Sequence, residues 1–506
     1  MSSFSIVIDQ GTSGTKSSVV SDKLELICSN TQNIATKQLA NGFVEQDPLE
    51  IINSVYKSIE NTIKEFLNLD HKITEIACCG ISNQRESFLI WDQNGNPYSP
   101  VISWQCTRSS RICEELKSKK DLIKNITGLR LNTYFSGTKL LWLIKNDGTI
   151  KNLIENENAY FGTIDTWLIY NLTNKEKYLT DVTNASRTLL FDLKDKKWSK
   201  ELCKLFQTSK MNLPEILPSD SNFGRTDFNG ILPNKISITG VVGDSQAACI
   251  GEHLFEKGDL KVTMGTGSSV LLNTKEFVSS NNGMVSTICW NMEGETSYGL
   301  EGIITSCGST LTWIKDQLHL VSSFKEIDQI TEKTPSSFPV SFIPSLNGIG
   351  APFWKMHASG SFLGLNFGVD KNKIIRAVAE AYPFMVNEVI HSLEKDSKIK
   401  ISKIKADGGL TNSKVIMQII ADITNSEIQV SSQKEASTMG AAILSLIGSK
   451  IISKKDVFCG INSKNKIKYH PNENKLLLDS NLIWKSRIEN VKEESFCYFP
   501  IKEEKK

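Results

Sequence analysis

The 506-residue chain has only six histidines, and its 11 cysteines, scattered from Cys28 to Cys497, contain no CxxC pair. An odd count without paired spacing, with Cys78 and Cys79 adjacent on an apolar segment, reads as reduced packing residues, not as a disulfide framework or a zinc site. No stretch approaches the ~18 consecutive apolar residues of a membrane span, and the N-terminus lacks a basic-then-apolar leader, so a cytoplasmic location is expected. An excess of one charge is also missing: 58 Lys and Arg face 56 Asp and Glu, for a net charge of +2. Without a basic stripe, neither nucleic acid nor an anionic membrane is an expected partner. The charged end Lys502 to Lys506 is expected to be solvated. There is no low-complexity stretch and no long linker.

What is present is an ordinary globular composition, 40% hydrophobic, 23% charged and 8% aromatic. The length exceeds what one core of roughly 250–300 residues can hold, so two or three domains and a cleft between them are expected.

FSIVID runs into the turn Gln10-Gly11-Thr12-Ser13-Gly14 and is followed by SSVVSD, a strand, a glycine-rich turn and a second strand. Ile51, Ile52, Val55, Ile59, Ile63 and Phe66 recur at helical spacing, and ITEIACCGIS then returns to a buried strand. This alternation points to an α/β class. The opening phrase recurs halfway along: ISITGVVGD closes on an acidic turn, SQAACIGEHLF is compatible with a helix, and KVTMGTGSSVLL again reads strand, turn, strand. Two related halves are therefore expected, divided near 244–256 into segments 1–250 and 251–506. IIRAVAEAYPFMVNEVIHSL has helical periodicity with Pro383 inside it, a candidate kink. ISKIKADGG reads as strand into turn, and ASTMGAAILSLI as helix.

Three acidic turns could carry chemistry. Asp9 stands at a strand end beside the hydroxyls and N–H groups of Thr12, Ser13 and Gly14 and beside Lys16, a set able to cradle phosphate and hold hydrated magnesium; it is also what an ordinary hairpin turn uses. Asp244 ends a strand where a helix begins, and could be a base or only an N-cap. Asp407-Gly408-Gly409 permits close approach to a flat ligand, or is only a turn. In ISNQRES, Arg85 offers a planar fork of donors and Glu86 two acceptors, a pair suited to vicinal hydroxyls or simply to a salt bridge with each other. Trp104 and Tyr134 could wall a carbon chain or fill a core.

In that order the three turns are the succession used by the actin and hexokinase superfamily. The long stretches ISNQRES, ISWQCTR, NTYFSGTKLLWLIKN, TDVTNASRTLLFDL, GDSQAACIG, MGTGS, GIGAPFW and ADGGLTNSKVIMQ resemble the FGGY carbohydrate kinases, most of all members that phosphorylate glycerol, from Asp9 to about Ser486. The resemblance implies two actin-like (ribonuclease H-like) ATPase domains with the active site in the cleft between them. It also implies ATP and Mg2+ as cofactors, and a homodimer as a family-level expectation. Thr12, Arg85, Glu86, Trp104, Tyr134, Asp244 and Ser245 are implied around the polyol, with Asp244 as general base. Thr12, Ser13, Gly14, Lys16, Thr266, Gly267, Gly308, Thr312, Gly409 and Ser413 are implied around the nucleotide, and Asp9 with Asp244 around the metal through water.

The chain departs from the family pattern at Ser245 (usually glutamine), Ser269 (phenylalanine), Thr312 (glutamine), Ser413 (asparagine) and Lys16 (arginine). The two serines on the substrate side imply a larger, more polar pocket. A longer polyol or a ketose (erythritol, xylitol, xylulose, ribulose) is therefore the competing substrate. A catalytically silent nucleotide-binding module is the reading from another class.

Overall fold

The computed structural model describes residues 3–346, 348–356, 358–430, 435–460 and 467–491; the charged end 502–506 lies outside the described residues. Strand β1 (Phe4–Gln10) is buried on both faces, which is why its apolar residues run without alternation. β2 (Gly14–Ser21) returns antiparallel, setting Lys16 opposite Asp9, and β3 (Leu26–Asn33) extends the meander. Helix α1 (Pro48–Asn68) starts where the Asp47 side chain accepts from the N–H groups of Leu49 and Glu50 and Pro48 fills the first turn. Its buried stripe Ile51, Val55, Ile59, Ile63 and Phe66 is the one legible in the sequence.

β4 (Ile76–Asn83) lies parallel to β1. After helix α2 (Ser136–Asn146) and the two-residue strand β5 (Arg225–Thr226), β6 (Ile236–Gly243) runs parallel to β4 and leads directly into helix α3 (Asp244–Gly251). The first sheet has the order β5-β6-β4-β1-β2-β3. α3 is shorter than the helix-compatible segment: it ends at Gly251, and His253 already has φ of +56°.

The second half repeats the plan. β7 (Leu260–Met264), β8 (Ser268–Lys275), β9 (Val285–Met292) and β10 (Glu295–Ile304) are antiparallel neighbours. Helix α4 (Gly308–Asp316) and the long helix α5 (Lys371–Ser397) follow. Pro383 sits inside α5, and the helix continues through it. β11 (Lys403–Asp407) lies parallel to β7; helix α6 (Lys414–Thr424), β12 (Glu427–Val430), helix α7 (Ala436–Gly448) and β13 (Ile467–Tyr469) complete the set. The second sheet has the order β9-β10-β8-β7-β11-β12-β13. In both sheets an antiparallel meander is followed by two parallel strands.

Helix α7, though late in sequence, packs on β1, β4, β6 and α3 of the first sheet. The approach requires glycine: a Cβ on Gly440 would lie 1.8 Å from the carbonyl oxygen of Ala247. α7 thereby brings Glu435 and Ser437 to the acidic turn at the start of the chain. Among the described residues no helix is long and apolar enough to cross a membrane.

Candidate active site

A cavity of about 450 Å3 lies at the carboxyl ends of β1, β4, β6, β7 and β11, where α/β sheets place their ligands. Asp9, Thr12, Ser13, Arg85, Glu86, Trp104 and Tyr134 line it, and so do Asp244, Ser245, Thr266, Gly267 and Ser269. Residues as far apart in sequence as Asp9 and Ser437, 428 positions, thus face one volume.

The Arg85–Glu86 corner is held open by its neighbours. Glu86 has φ of +62°, a left-handed conformation that costs roughly 1 kcal/mol in a non-glycine residue. The turn is fixed by Ser136 Oγ donating to the Glu86 carbonyl at 2.7 Å and by the Gln84 N–H donating to the Gln10 carbonyl at 2.7 Å. Arg85 and Glu86 do not bond each other. Arg85 donates from Nε to Asp244 Oδ1 at 3.0 Å and from Nη1 to both oxygens of Glu301 at 3.1 and 3.2 Å. Glu86 accepts from Arg187 Nε at 2.6 Å. Burial pushes the Glu86 carboxyl above the ordinary glutamate range, with Arg187 and Arg85 opposing that shift.

Trp104 and Tyr134 form the apolar wall, their rings 5.5 Å apart. The Trp104 indole donates to Thr12 Oγ1 at 2.9 Å, tying the wall to the glycine-rich turn. Behind it Lys139, fully buried, donates to the carbonyls of Ser103 at 3.1 Å and Tyr134 at 2.9 Å. Burial brings its pKa down to about 8.

Asp244 opens α3 and is the accessible acid of the site, with 43% of its side chain exposed. The serines at which the chain departs from the family pattern meet in the wall: Ser245 Oγ and Ser269 Oγ are 3.1 Å apart, and Ser269 donates to Glu301 Oε1 at 2.7 Å. Gln246 is turned away, buried against Thr287.

On the other side of the cavity, Asp9 accepts from Ser437 Oγ at 2.6 Å. Burial raises its pKa; Ser437 and Ser82 oppose the rise, and the charge of Asp244 adds to it. Lys16 places Nζ on Glu435 at 2.7 Å, and neither Gly14 nor Lys16 is part of the cavity wall. A second cavity of about 790 Å3 shares Gly265 and Thr266 with the first. Gly308, Thr312, Gly409 and Ser413 line it, Ser413 Oγ donating to Asp328 at 2.6 Å. Its turn depends on Gly408 at φ +94°, where a Cβ would meet the Met264 carbonyl oxygen at 2.4 Å.

The donor set suits a hydrated magnesium ion. Asp9, Asp244 and Asp407 are hard oxygen donors on one cavity, and one Asp407 oxygen is buried without a hydrogen-bond partner. Among the described residues no three His, Cys, Asp or Glu side chains converge to hold an ion by themselves.

Sequence reasoning missed Glu301, Arg187, Ser437 and Glu435 and left Asp407 without a role. Glu301 had a signal: a lone acid inside the apolar strand segment GLEGII must be paired if it is buried. Ser437 and Glu435 had none, because only the folding back of α7 brings them to Asp9.

Two sheets of matching plan, with acids at their strand ends around a shared cleft, are the architecture of actin-like ATPase domains. The chain belongs to the FGGY family of carbohydrate kinases: residues 4–251 match its N-terminal domain and residues 260–449 its C-terminal domain. It is 38% identical over 445 residues to a glycerol kinase of Fusobacterium nucleatum, covering 87% of this chain and 89% of that one. It is 37% identical over 443 residues to glycerol kinase 2 of Thermotoga maritima, covering 86% and 88%. Among solved structures, Plasmodium falciparum glycerol kinase with ADP superposes with a TM-score of 0.87 at 36% identity, covering 97% of this chain and 98% of that one. Xylulose kinase of Lactobacillus acidophilus, at 23% identity and a TM-score of 0.84 over 96% and 97% of the chains, shares the fold.

Proposed function

We propose that this kinase transfers the terminal phosphoryl group of ATP to a terminal hydroxyl of glycerol, forming sn-glycerol 3-phosphate. The observation that carries this reading is the facing of Asp244, Arg85 and Glu86 across one small cavity beside the Trp104–Tyr134 wall. Curated relatives at 35–38% identity named glycerol kinase support it.

In this reading the unshared atoms of Arg85 and Glu86 bind adjacent hydroxyls, one as donor and one as acceptor. Trp104 and Tyr134 cover the carbon chain. Asp244 accepts the proton of the attacking hydroxyl, and the loose transition state leaves most of the work to positioning. The N–H groups of Thr12 and Ser13, with Thr266 and Gly267, receive the phosphates, and the larger cavity holds the nucleoside. Asp9, Asp244 and Asp407 would hold magnesium through water, supplying charge neutralisation on the phosphates. Segments 1–250 and 251–506 act as the two jaws of the cleft, and closing them excludes water. The reading extends to a cytoplasmic enzyme of glycerol uptake and degradation, assembled as a homodimer.

A second reading, phosphorylation of a longer polyol or ketose, is favoured by one observation: the Ser245–Ser269 pair makes the wall beside Asp244 polar. A coupled assay against glycerol, erythritol, xylitol, xylulose and ribulose separates the two. The first reading requires the highest kcat/KM on glycerol, and a higher value on any of the others overturns it.

A further inference from the structure

Five charged side chains join in one alternating line through the floor of the cavity. Glu86 accepts from Arg187 Nε at 2.6 Å; Arg187 Nη1 meets Glu301 Oε2 at 2.8 Å; Glu301 accepts from Arg85 Nη1; and Arg85 Nε reaches Asp244 at 3.0 Å. Glu301 is at the centre, 0% exposed, on β10 of the second sheet. Every other member comes from the first half of the chain or opens α3.

We infer that Glu301 is the positioning residue of the polyol site: it fixes Arg85, and through Arg187 it fixes Glu86, so that one guanidinium nitrogen and one carboxylate oxygen face the substrate at a set separation. This rests on the polyol kinase reading above.

The hydrogen bonds support it. Arg85 has three kinds of donor nitrogen. Nε is taken by Asp244 and Nη1 by the two oxygens of Glu301, which leaves Nη2 for a ligand hydroxyl. A guanidinium is a planar fork, so holding two of its nitrogens fixes the direction of the third. The same logic applies to Glu86, where Arg187 engages Oε1 and Oε2 remains.

Glu301 is also suited to hold two arginines. Burial alone would push its carboxyl up, but Arg187, Arg85 and the Ser269 hydroxyl hold it down at about 2, so it stays anionic throughout the working pH range. Its bond from Ser269, which touches Ser245 in the wall, carries the network to the cavity surface. Because Glu301 belongs to the second sheet and Arg85 to the turn that follows β4 of the first, the polyol-binding geometry depends on the relative placement of both halves.

The test compares wild type, Glu301→Gln, Glu301→Asp and Ser269→Ala on the polyol that wild type turns over best, with KM measured separately for polyol and ATP. Glu301→Gln keeps the shape and removes the charge. The expected result is a polyol KM raised at least tenfold with the ATP KM within twofold, partial recovery in Glu301→Asp, and a rise of several-fold in Ser269→Ala. A merely structural role would move both KM values or neither. Should Glu301→Gln melt below assay temperature, Ser269→Ala, on the cavity surface, decides by the same split. Wild-type turnover with an unchanged polyol KM in the variants overturns this inference alone. No turnover of any polyol by wild type overturns the parent reading, and this one with it.

Discussion

Ser437 donates a hydrogen bond of 2.6 Å to Asp9, closing a distance of 428 residues in sequence between the first strand of one sheet and the first turn of α7. Glu435, which precedes α7, adds a contact on Lys16 of β2, the residue opposite Asp9.

This bond stabilises the ionised form of Asp9, whose burial favours the protonated one. A raised carboxylate pKa means that protons compete with magnesium at higher pH than at an ordinary aspartate. The magnesium concentration for half-maximal activity should therefore rise as pH falls. In Ser437→Ala the rise should begin at higher pH, with roughly a tenfold higher requirement at pH 6, the loss of one bond to a charged group. A magnesium titration of both proteins at pH 6 and 8 checks this; parallel curves would contradict it.

Glu86 is a second acid with a raised pKa, again through burial. Its deprotonated form is the acceptor, so the polyol KM should climb as pH falls toward that elevated value, while the ATP KM shows no matching change. Glu86→Gln should have a high polyol KM that is flat across the same range. A polyol KM in Glu86→Gln that still climbs at acid pH would assign the titration to another group.

Lys139 supports the aromatic wall from below and has its pKa depressed to about 8. The unfolded chain, with an ordinary lysine, holds that proton up to roughly pH 10.4, so between these values it binds more protons than the fold and stability rises with pH. The stability difference between wild type and Lys139→Met should grow by roughly 2 kcal/mol in favour of wild type from pH 7 to 9.5. Urea unfolding at the two pH values measures it, and a constant difference would show that Lys139 is not titrating there.

Much of the fold was legible in the sequence for a physical reason: its strands are apolar runs ending at acidic or glycine turns, and α1 carries a clean stripe from Ile51 to Phe66. α3 was read too long, since its apolar residues continue past Gly251 but the backbone turns at His253. At the site, Arg85, Glu86, Trp104, Tyr134 and Asp244 were found through their motifs and do line one cavity. Lys16 was expected to face the phosphates, and its ammonium is on Glu435. Arg85 and Glu86, for which a salt bridge with each other was the alternative reading, instead bond Glu301 and Arg187. Such long-range pairings leave little trace in a single sequence, where only the apolar context of Glu301 hints at one.

The central claim, that Asp244 serves phosphoryl transfer from ATP to glycerol, is tested most directly by measuring sn-glycerol 3-phosphate formation by wild type and Asp244→Asn side by side, with nucleotide affinity measured on both. Loss of a general base costs about 10²–10⁴-fold in rate. The account predicts product from wild type, a loss of that size in kcat for the variant, and nucleotide binding within twofold. Product formed at comparable rates by both proteins would contradict it.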